Sequence, residues 1–107
     1  MATQDKPYQL TYLPAAWQDY QHLDGSQKVF VDKGLARIRI LGMRAGQPLA
    51  GELSHCHKLK NKRLGLRIVF RQVDQQIQVI QIVAIGQRAD KRVYHTAEQR
   101  LSKLKKL

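Results

Sequence analysis

Acidic residues are scarce in this chain. Eight aspartates and glutamates stand against nineteen lysines and arginines among 107 residues, which gives a formal net charge of +11. The acids are scattered, and none forms a pair or cluster spaced to hold Mg²⁺, so a two-metal nuclease is disfavoured. A glycine-rich phosphate loop of the P-loop pattern is also missing. The charge points instead to a polyanionic partner. Nucleic acid is the leading class, and an anionic membrane surface or an acidic protein are the others.

Cysteine and long apolar runs are equally scarce. Cys56 is the single cysteine, so no internal disulfide can form, which fits a reducing cytoplasm. No apolar run approaches the roughly 20 residues needed to span a bilayer, and Met1 to Pro7 is too polar for a signal peptide. We therefore expect a cytoplasmic protein without membrane attachment, folded as one domain over residues 1–107.

The positive charge is concentrated in two stretches. The first contains six basic residues and no acid: Lys58, Lys60, Lys62, Arg63, Arg67 and Arg71. The second, residues 100–107, contains four more basic residues and again no acid. A charge run often marks only a solvated surface. In the first stretch, however, the basic residues are interleaved with strand-forming apolar ones, so a sheet would hold them in fixed directions.

The hydropathy pattern predicts an α+β domain with the order strand, two helices, three strands, helix. The predicted elements are a strand over Tyr8–Leu13, helices over Ala15–Leu23 and Ser26–Leu41, and strands over Leu49–Lys60, Leu66–Val73 and Ile77–Ile85. The short connections Asn61–Gly65 and Asp74–Gln76 predict an antiparallel meander, with the third of these strands central. The helices are expected to cover one sheet face and to leave the other partly open as a concave basic surface.

Two capping boxes are predicted at helix starts. Asp24 and Gln27 precede the second helix, where Val31, Leu35, Ile38 and Leu41 fall on one face. Thr96 and Gln99 form a similar pair at the start of an amphipathic C-terminal helix.

The segment His55-Cys56-His57 looks at first like a metal cluster. On a strand, His55 and His57 would share a face while Cys56 points the other way, and no second cysteine pair exists for a closed zinc site. We favour buried or half-buried strand residues over a metal site or a catalytic Cys–His pair. We therefore expect no metal and no cofactor.

Lys58 and Lys60 are the strongest candidates for chemistry. At i and i+2 on a strand they project from the same face, and two ammonium groups held close favour the neutral form of one. Such a lysine can move a proton near neutral pH. Arg67 on the next strand can join them, with a guanidinium suited to phosphate. Arg88 and Tyr94 follow the third strand. Spacing alone leaves a site and an ordinary surface both open.

Several segments together resemble one known family, the RelE branch of the RelE/ParE toxin superfamily, over nearly the whole chain. They are YQLTYLPAAWQDYQHLD at the start, then KLK and LRIVF within HCHKLKNKRLGLRIVFR, then IGQR and VYHTA within IVAIGQRADKRVYHTAEQRL. The resemblance implies a RelE-like fold and the toxin of a type II toxin–antitoxin system. Such toxins are metal-independent endoribonucleases that cut messenger RNA in the ribosomal A site through attack by the RNA's own 2′-hydroxyl.

The resemblance also implies roles for single residues. Lys58 and Lys60 match the family's two strand lysines, Arg67 the arginine of the next strand, Arg88 the arginine after the last strand, and Tyr94 the tyrosine near the C-terminus. Further contacts to RNA or ribosome are expected from Lys62, Arg63, Arg71 and Arg92. Leu66 departs from the aromatic residue often seen before the arginine, which weakens the case for base stacking there.

The implied partners are a cognate antitoxin, acidic where it wraps the basic face, together with the ribosome and messenger RNA. Three other functions stay open. The chain could be a gyrase-inhibiting toxin of the ParE branch, a non-catalytic RNA- or ribosome-binding module, or a toxin fold that has lost its activity. The presence of the full basic set favours RNA cleavage over these.

Overall fold

The computed structural model describes residues 7–74 and 79–105. Its elements are β1 (Gln9–Tyr12), α1 (Pro14–Gln21), α2 (Gly25–Leu41), β2 (Gln47–Pro48), β3 (His57–Asn61), β4 (Leu66–Asp74), β5 (Val79–Gln87) and α3 (Arg92–Lys105). The predicted α+β class is confirmed, with one added two-residue strand. The part of the third predicted strand at residues 77–78, and the connecting residues 75–76, lie outside the described residues. No helix in the described ranges is both long and apolar enough to cross a membrane.

The strands form one mixed sheet in the order β1-β5-β4-β3-β2. The antiparallel meander of β3, β4 and β5 is confirmed, while β1 pairs with β5 in parallel. The predicted continuous strand Leu49–Lys60 is wrong, because β3 begins only at His57. Upstream of it, Gln47 and Pro48 pair back onto β3, and the Leu49 N–H donates to the Cys56 carbonyl oxygen at 3.1 Å.

Helix α2 begins at the predicted capping box. The Asp24 carboxylate accepts the backbone N–H of Gln27 at 2.8 Å, and the Gln27 side chain accepts the backbone N–H of Asp24 at 3.0 Å. The predicted apolar stripe faces the sheet, with Val31, Leu35 and Ile38 buried.

Gly34 explains how α2 approaches the sheet so closely. A Cβ atom at this position would lie 2.8 Å from Leu59 Cδ2 and 2.9 Å from Ile68 Cδ1. A side chain there would have to displace two core residues, so glycine within the helix serves packing.

The expectation that all helices cover one sheet face is wrong. Helix α2 packs against Ile68, whereas α3 lies on the opposite face, where a Cβ at Gly86 would contact Val93 at 3.6 Å. Gly86 pairs with Arg67 and not with the neighbouring Ile68, and neighbours on a strand point to opposite faces. Helix α3 therefore covers part of the face that carries the basic residues.

The start of α3 also differs from the prediction. The capping box at Thr96 and Gln99 is wrong, because the helix begins at Arg92 and Thr96 lies within it. The apolar stripe of the helix starts at Val93 and continues through Ala97 and Leu101, all buried. Burial of this stripe extends the helix by one turn toward its N-terminus.

Candidate active site

Strands β3 and β4 bring three cations to one sheet face, here called the basic face. Lys60 pairs directly with Arg67, and Lys58 pairs with Val69. Residues opposite each other in a ladder share a face and lie close together. The predicted juxtaposition of Lys58 and Lys60 with Arg67 across the hairpin is confirmed.

Arg67 is the most unusual side chain of this face. It is only 8% exposed, and its Nη1 donates to the Leu66 carbonyl oxygen at 3.1 Å. Its Nε is buried and has no hydrogen-bond partner within residues 7–74 and 79–105. The anion of Asp19, by contrast, is paired with Arg100. A buried cation without an anion is unfavourable, and a phosphate could take up its free donors.

Tyr94 lies over the same face. The first turn of α3 places Lys58 Nζ 5.8 Å from the centroid of the Tyr94 ring, within the range of a cation–π interaction. The Tyr94 hydroxyl is buried and has no hydrogen-bond partner among the residues described. Leaving a buried hydroxyl unpaired costs about 1–3 kcal/mol. The hydroxyl is thus a second polar group near Lys58 that a bound ligand can satisfy.

Crowding of the cations changes the acidity of Lys60. The pKa of Lys60 is lowered from its ordinary value, first by the charge of Lys62, then by burial, and then by the charges of Lys58 and Arg67. The predicted effect is confirmed in direction. Its largest cause, however, is a residue of the hairpin turn, which sequence reasoning had assigned only to RNA contacts.

The hairpin turn also holds the start of the segment after β5. The backbone N–H of Arg88 donates to the Gly65 carbonyl oxygen at 2.8 Å. Gly65 has a φ of +67°, which glycine adopts without strain. The Asn61 side chain closes the turn by accepting the Leu64 N–H at 3.0 Å. Sequence reasoning identified Asn61–Gly65 as the connection, where asparagine and glycine are typical turn residues, but it did not assign Gly65 a part in holding Arg88.

The four expected RNA-contact residues separate into two groups. Lys62 and Arg63 are exposed in the turn beside the basic face. Arg71 is half-buried, and its Nε donates to Gln81 Oε1 at 2.8 Å. Arg92 is exposed and lines a small cavity of about 170 Å³ against β5, together with Asp19 and Arg100. Of the four, Lys62 is connected to the cluster around Arg67 by its effect on the pKa of Lys60.

The segment His55-Cys56-His57 is divided between three environments. His57 is half-buried on β3, with Nδ1 at 2.7 Å from the Met43 carbonyl oxygen. Cys56 is buried just before β3, and burial raises the pKa of its thiol to about 11. The strand prediction is wrong for His55, which is exposed in the preceding turn. Across the described residues, no group of three or more His, Cys, Asp or Glu could hold a metal ion.

No protein-family model matches the chain. The chain is 29% identical over 94 residues to a protein of Escherichia coli described as a RelE-like toxin protein, and this match covers 88% of the chain and 97% of that protein.

Two solved structures share the fold. The first is a mutant of E. coli toxin RelE in the free state, with a TM-score of 0.72, 23% identity, and coverage of 88% of this chain and 97% of that one. The second is a mutant of the same toxin in complex with a peptide of the antitoxin RelB, with a TM-score of 0.68 and 22% identity. The second match covers 85% of this chain and 94% of that one.

Proposed function

We propose that this chain is a toxin of the RelE/ParE superfamily that cuts messenger RNA in the A site of the ribosome, a proposal supported by its similarity to a RelE-like toxin protein and by the fold it shares with RelE. In this proposal residues 1–107 act as one cytoplasmic toxin domain, and a cognate antitoxin holds the toxin inactive. The observation that carries the proposal is Arg67, a buried cation on the basic face whose Nε has no partner among the described residues. A phosphodiester on this face would supply the missing anion.

The proposed reaction needs no external nucleophile. The 2′-oxygen of the RNA attacks the adjacent phosphorus, the bond to the 5′-oxygen of the next nucleotide breaks, and a 2′,3′-cyclic phosphate remains. Only RNA has the attacking hydroxyl. Negative charge accumulates on the phosphoryl oxygens in the transition state, and cations fixed in advance at that place lower the barrier.

The side chains of the basic face suit the three parts of this reaction. Arg67 and Lys58 meet the charge on the phosphoryl oxygens. Lys60 is a candidate for taking the proton of the 2′-hydroxyl, because its lowered pKa increases the neutral fraction. Tyr94 would orient that hydroxyl, and Arg88 would stabilise the leaving 5′-oxygen.

Dependence on the ribosome follows from the composition of this site. Cations stabilise charge well but hold a flexible RNA strand poorly in the in-line geometry that the attack requires. The ribosome would supply this geometry by fixing the messenger RNA in the A site. The net charge of +11 would drive docking on ribosomal RNA with a steep dependence on salt.

The experiment is cleavage of messenger RNA by the purified protein, with and without programmed ribosomes and with EDTA. The parent is compared with Arg67→Ala and with Arg37→Ala. The control removes the same charge from an exposed position on α2, across the sheet from the basic face. We expect cleavage only with ribosomes, unaffected by EDTA, lost in Arg67→Ala and kept in Arg37→Ala.

Other outcomes would favour the remaining functions. Intact RNA under all conditions, together with inhibition of gyrase, would assign the chain to the ParE mode of action. Intact RNA with salt-dependent ribosome binding, weakened by Arg67→Ala and kept in Arg37→Ala, would indicate a non-catalytic binding module.

A further inference from the structure

Lys91 has a left-handed backbone conformation between the two candidate catalytic residues that follow β5. Its φ is +58°, and among the described residues no other residue except glycine has a positive φ. A residue with a Cβ is strained in this region, and glycine, asparagine and aspartate adopt it more readily than lysine does. Lys91 is exposed, so burial of its side chain does not impose the conformation. The backbone contacts around Lys91 therefore maintain it.

Both backbone groups of Arg88 are held by other residues. Its N–H donates to the Gly65 carbonyl oxygen in the hairpin turn at 2.8 Å, and its carbonyl oxygen accepts the Lys91 N–H at 2.7 Å. The Arg88 side chain itself is exposed. The fold thus fixes the backbone that carries the guanidinium and leaves the guanidinium accessible to RNA. Lys91 supplies one of the two hydrogen bonds.

Lys91 also sets the direction in which α3 leaves this turn. The helix begins at Arg92, and its first turn carries Tyr94, whose ring centroid lies 5.8 Å from Lys58 Nζ. Lys91 is three residues from Arg88 and three from Tyr94. Because φ and ψ are the only soft torsions of the backbone, a change of φ at Lys91 would rotate the helix relative to the segment that carries Arg88.

We propose that Lys91 is a positioning residue for RNA cleavage and that its left-handed backbone sets the separation between Arg88 and Tyr94. In the proposed reaction Arg88 acts at the leaving 5′-oxygen and Tyr94 at the attacking 2′-hydroxyl, which lie on opposite sides of the phosphorus. An in-line attack needs both groups at fixed places. Backbone strain of this kind is concentrated at functional sites, where the surrounding structure maintains it. This inference rests on the proposed function and adds a positioning residue to it.

The test separates the backbone conformation of Lys91 from its charge. Lys91→Asn and Lys91→Val both remove the ammonium group and keep a Cβ, but asparagine tolerates the left-handed region and the β-branched valine does not. Lys33→Asn and Lys33→Val make the same exchanges at an exposed position of α2. Single-turnover cleavage on programmed ribosomes gives the maximal rate and the ribosome concentration at half of that rate. Thermal denaturation gives the folded fraction of each variant.

We expect Lys91→Asn and both Lys33 variants to cut at close to the parent rate. Lys91→Val should lower the maximal rate roughly tenfold, because it displaces the catalytic groups, and should leave the half-saturating ribosome concentration nearly unchanged. In an Arg88→Ala background Lys91→Val should have a smaller effect, because coupled residues are not additive.

Three results would overturn the inference. The first is a parent-like rate in Lys91→Val. The second is an equal loss in Lys91→Asn and Lys91→Val, which would assign the effect to the ammonium group. The third is a loss in Lys91→Val that its lower folded fraction explains, which would make Lys91 important only for folding.

Amide hydrogen exchange of the free protein separates this inference from the proposed function. The amides at positions 88 and 91 should be protected in the parent and in Lys91→Asn, and should exchange faster in Lys91→Val because their hydrogen bonds are broken. This pattern in a protein that cuts no RNA would uphold the link between Lys91 and Arg88 and refute the proposed reaction. Equal exchange in the three proteins would refute the positioning role, whatever the protein does to RNA.

Discussion

Two arginines, Arg100 on helix α3 and Arg67 on strand β4, have opposite environments. Arg100 of α3 makes two hydrogen bonds to the Asp19 carboxylate, at 2.7 and 3.1 Å, and a third to the Val83 carbonyl oxygen at 3.0 Å. The Arg67 side chain is buried and, among the described residues, donates to the carbonyl oxygen of its neighbour Leu66. The fold provides an anion for Arg100, and none among the described residues for Arg67.

The difference separates a structural cation from one kept for a ligand. The Asp19 carboxylate also accepts the Ile85 N–H at 3.0 Å, so the Arg100 pair joins α1, β5 and α3. The Arg67 side chain, in contrast, makes its hydrogen bond within β4, and its Nε has no partner among the described residues. Its burial opposes folding unless an anion arrives, since removing a charge from water is costly. Substitutions at the two arginines should therefore affect different quantities.

The largest expected effect is on catalysis at Arg67. Arg67→Met keeps much of the buried volume and removes the charge, so we expect the cleavage rate to fall on the order of a hundredfold or more. Because an unpaired buried charge is also removed, the melting temperature should stay the same or rise. Single-turnover cleavage on ribosomes and thermal denaturation measure the two quantities. A large loss of stability would show that Arg67 is structural and would abolish the contrast with Arg100.

The second effect is on stability at Asp19. Asp19→Ala leaves the Arg100 guanidinium and the Ile85 N–H without their acceptor, and both are only partly exposed. We expect the free energy of unfolding to fall by about 2 kcal/mol, as measured by urea denaturation. Asp32→Ala, at an exposed acid, should cost less than about 1 kcal/mol. Similar losses in the two variants would mean that the ion pair does not hold the elements together.

The same contrast explains what the sequence could and could not predict. Local patterns sufficed for the Asp24–Gln27 capping box, the β3–β4–β5 meander and the shared face of Lys58 and Lys60, because each depends on near neighbours or a strict period of two. The pairing of Asp19 with Arg100 depends on how distant segments pack. The sheet face on which α3 packs also depends on how distant segments pack. The apolar stripe of the helix alone does not specify one of the two faces.

The candidate site was partly predictable for a similar reason. Residue types and the family resemblance identified Arg67 and Tyr94 as candidates. Their buried polar atoms, which have no partner among the described residues, are properties of the packed structure and cannot be inferred from residue type. The hydrogen bond from the Arg88 N–H to the Gly65 carbonyl oxygen was not predicted. It links the turn between β3 and β4 to the residue that follows β5, and these segments are distant in the sequence.

A third prediction extends the contrast to Arg88, which the fold positions through its backbone. Gly65→Ala strains a φ of +67° and brings a Cβ to 3.0 Å from Gln87 Oε1. We expect it to slow cleavage roughly tenfold by displacing Arg88. In an Arg88→Ala background the same substitution should have little further effect, because coupled residues are not additive. Single-turnover rates of the four proteins give the cycle. Fully additive losses would mean that Gly65 acts only on overall folding.

The smallest expected effect concerns Lys62, whose charge is the first cause of the lowered pKa of Lys60. Lys62→Gln removes that charge, so the pKa of Lys60 should rise toward its ordinary value. If neutral Lys60 takes the proton from the 2′-hydroxyl, the rate increases with pH through this pKa, and the variant needs a higher pH to reach the same rate. If Lys60 acts as a cation, the rate instead decreases with pH through the same pKa, and the variant stays active to higher pH. The limb of the pH–rate profile moves to higher pH in both cases. Whether the rate rises or falls along this limb distinguishes a proton acceptor from a fixed charge.

The control is Arg63→Gln, which removes the same charge at the neighbouring position. It should leave the limb at the pH where the parent has it, since Arg63 is not among the causes of the lowered pKa of Lys60.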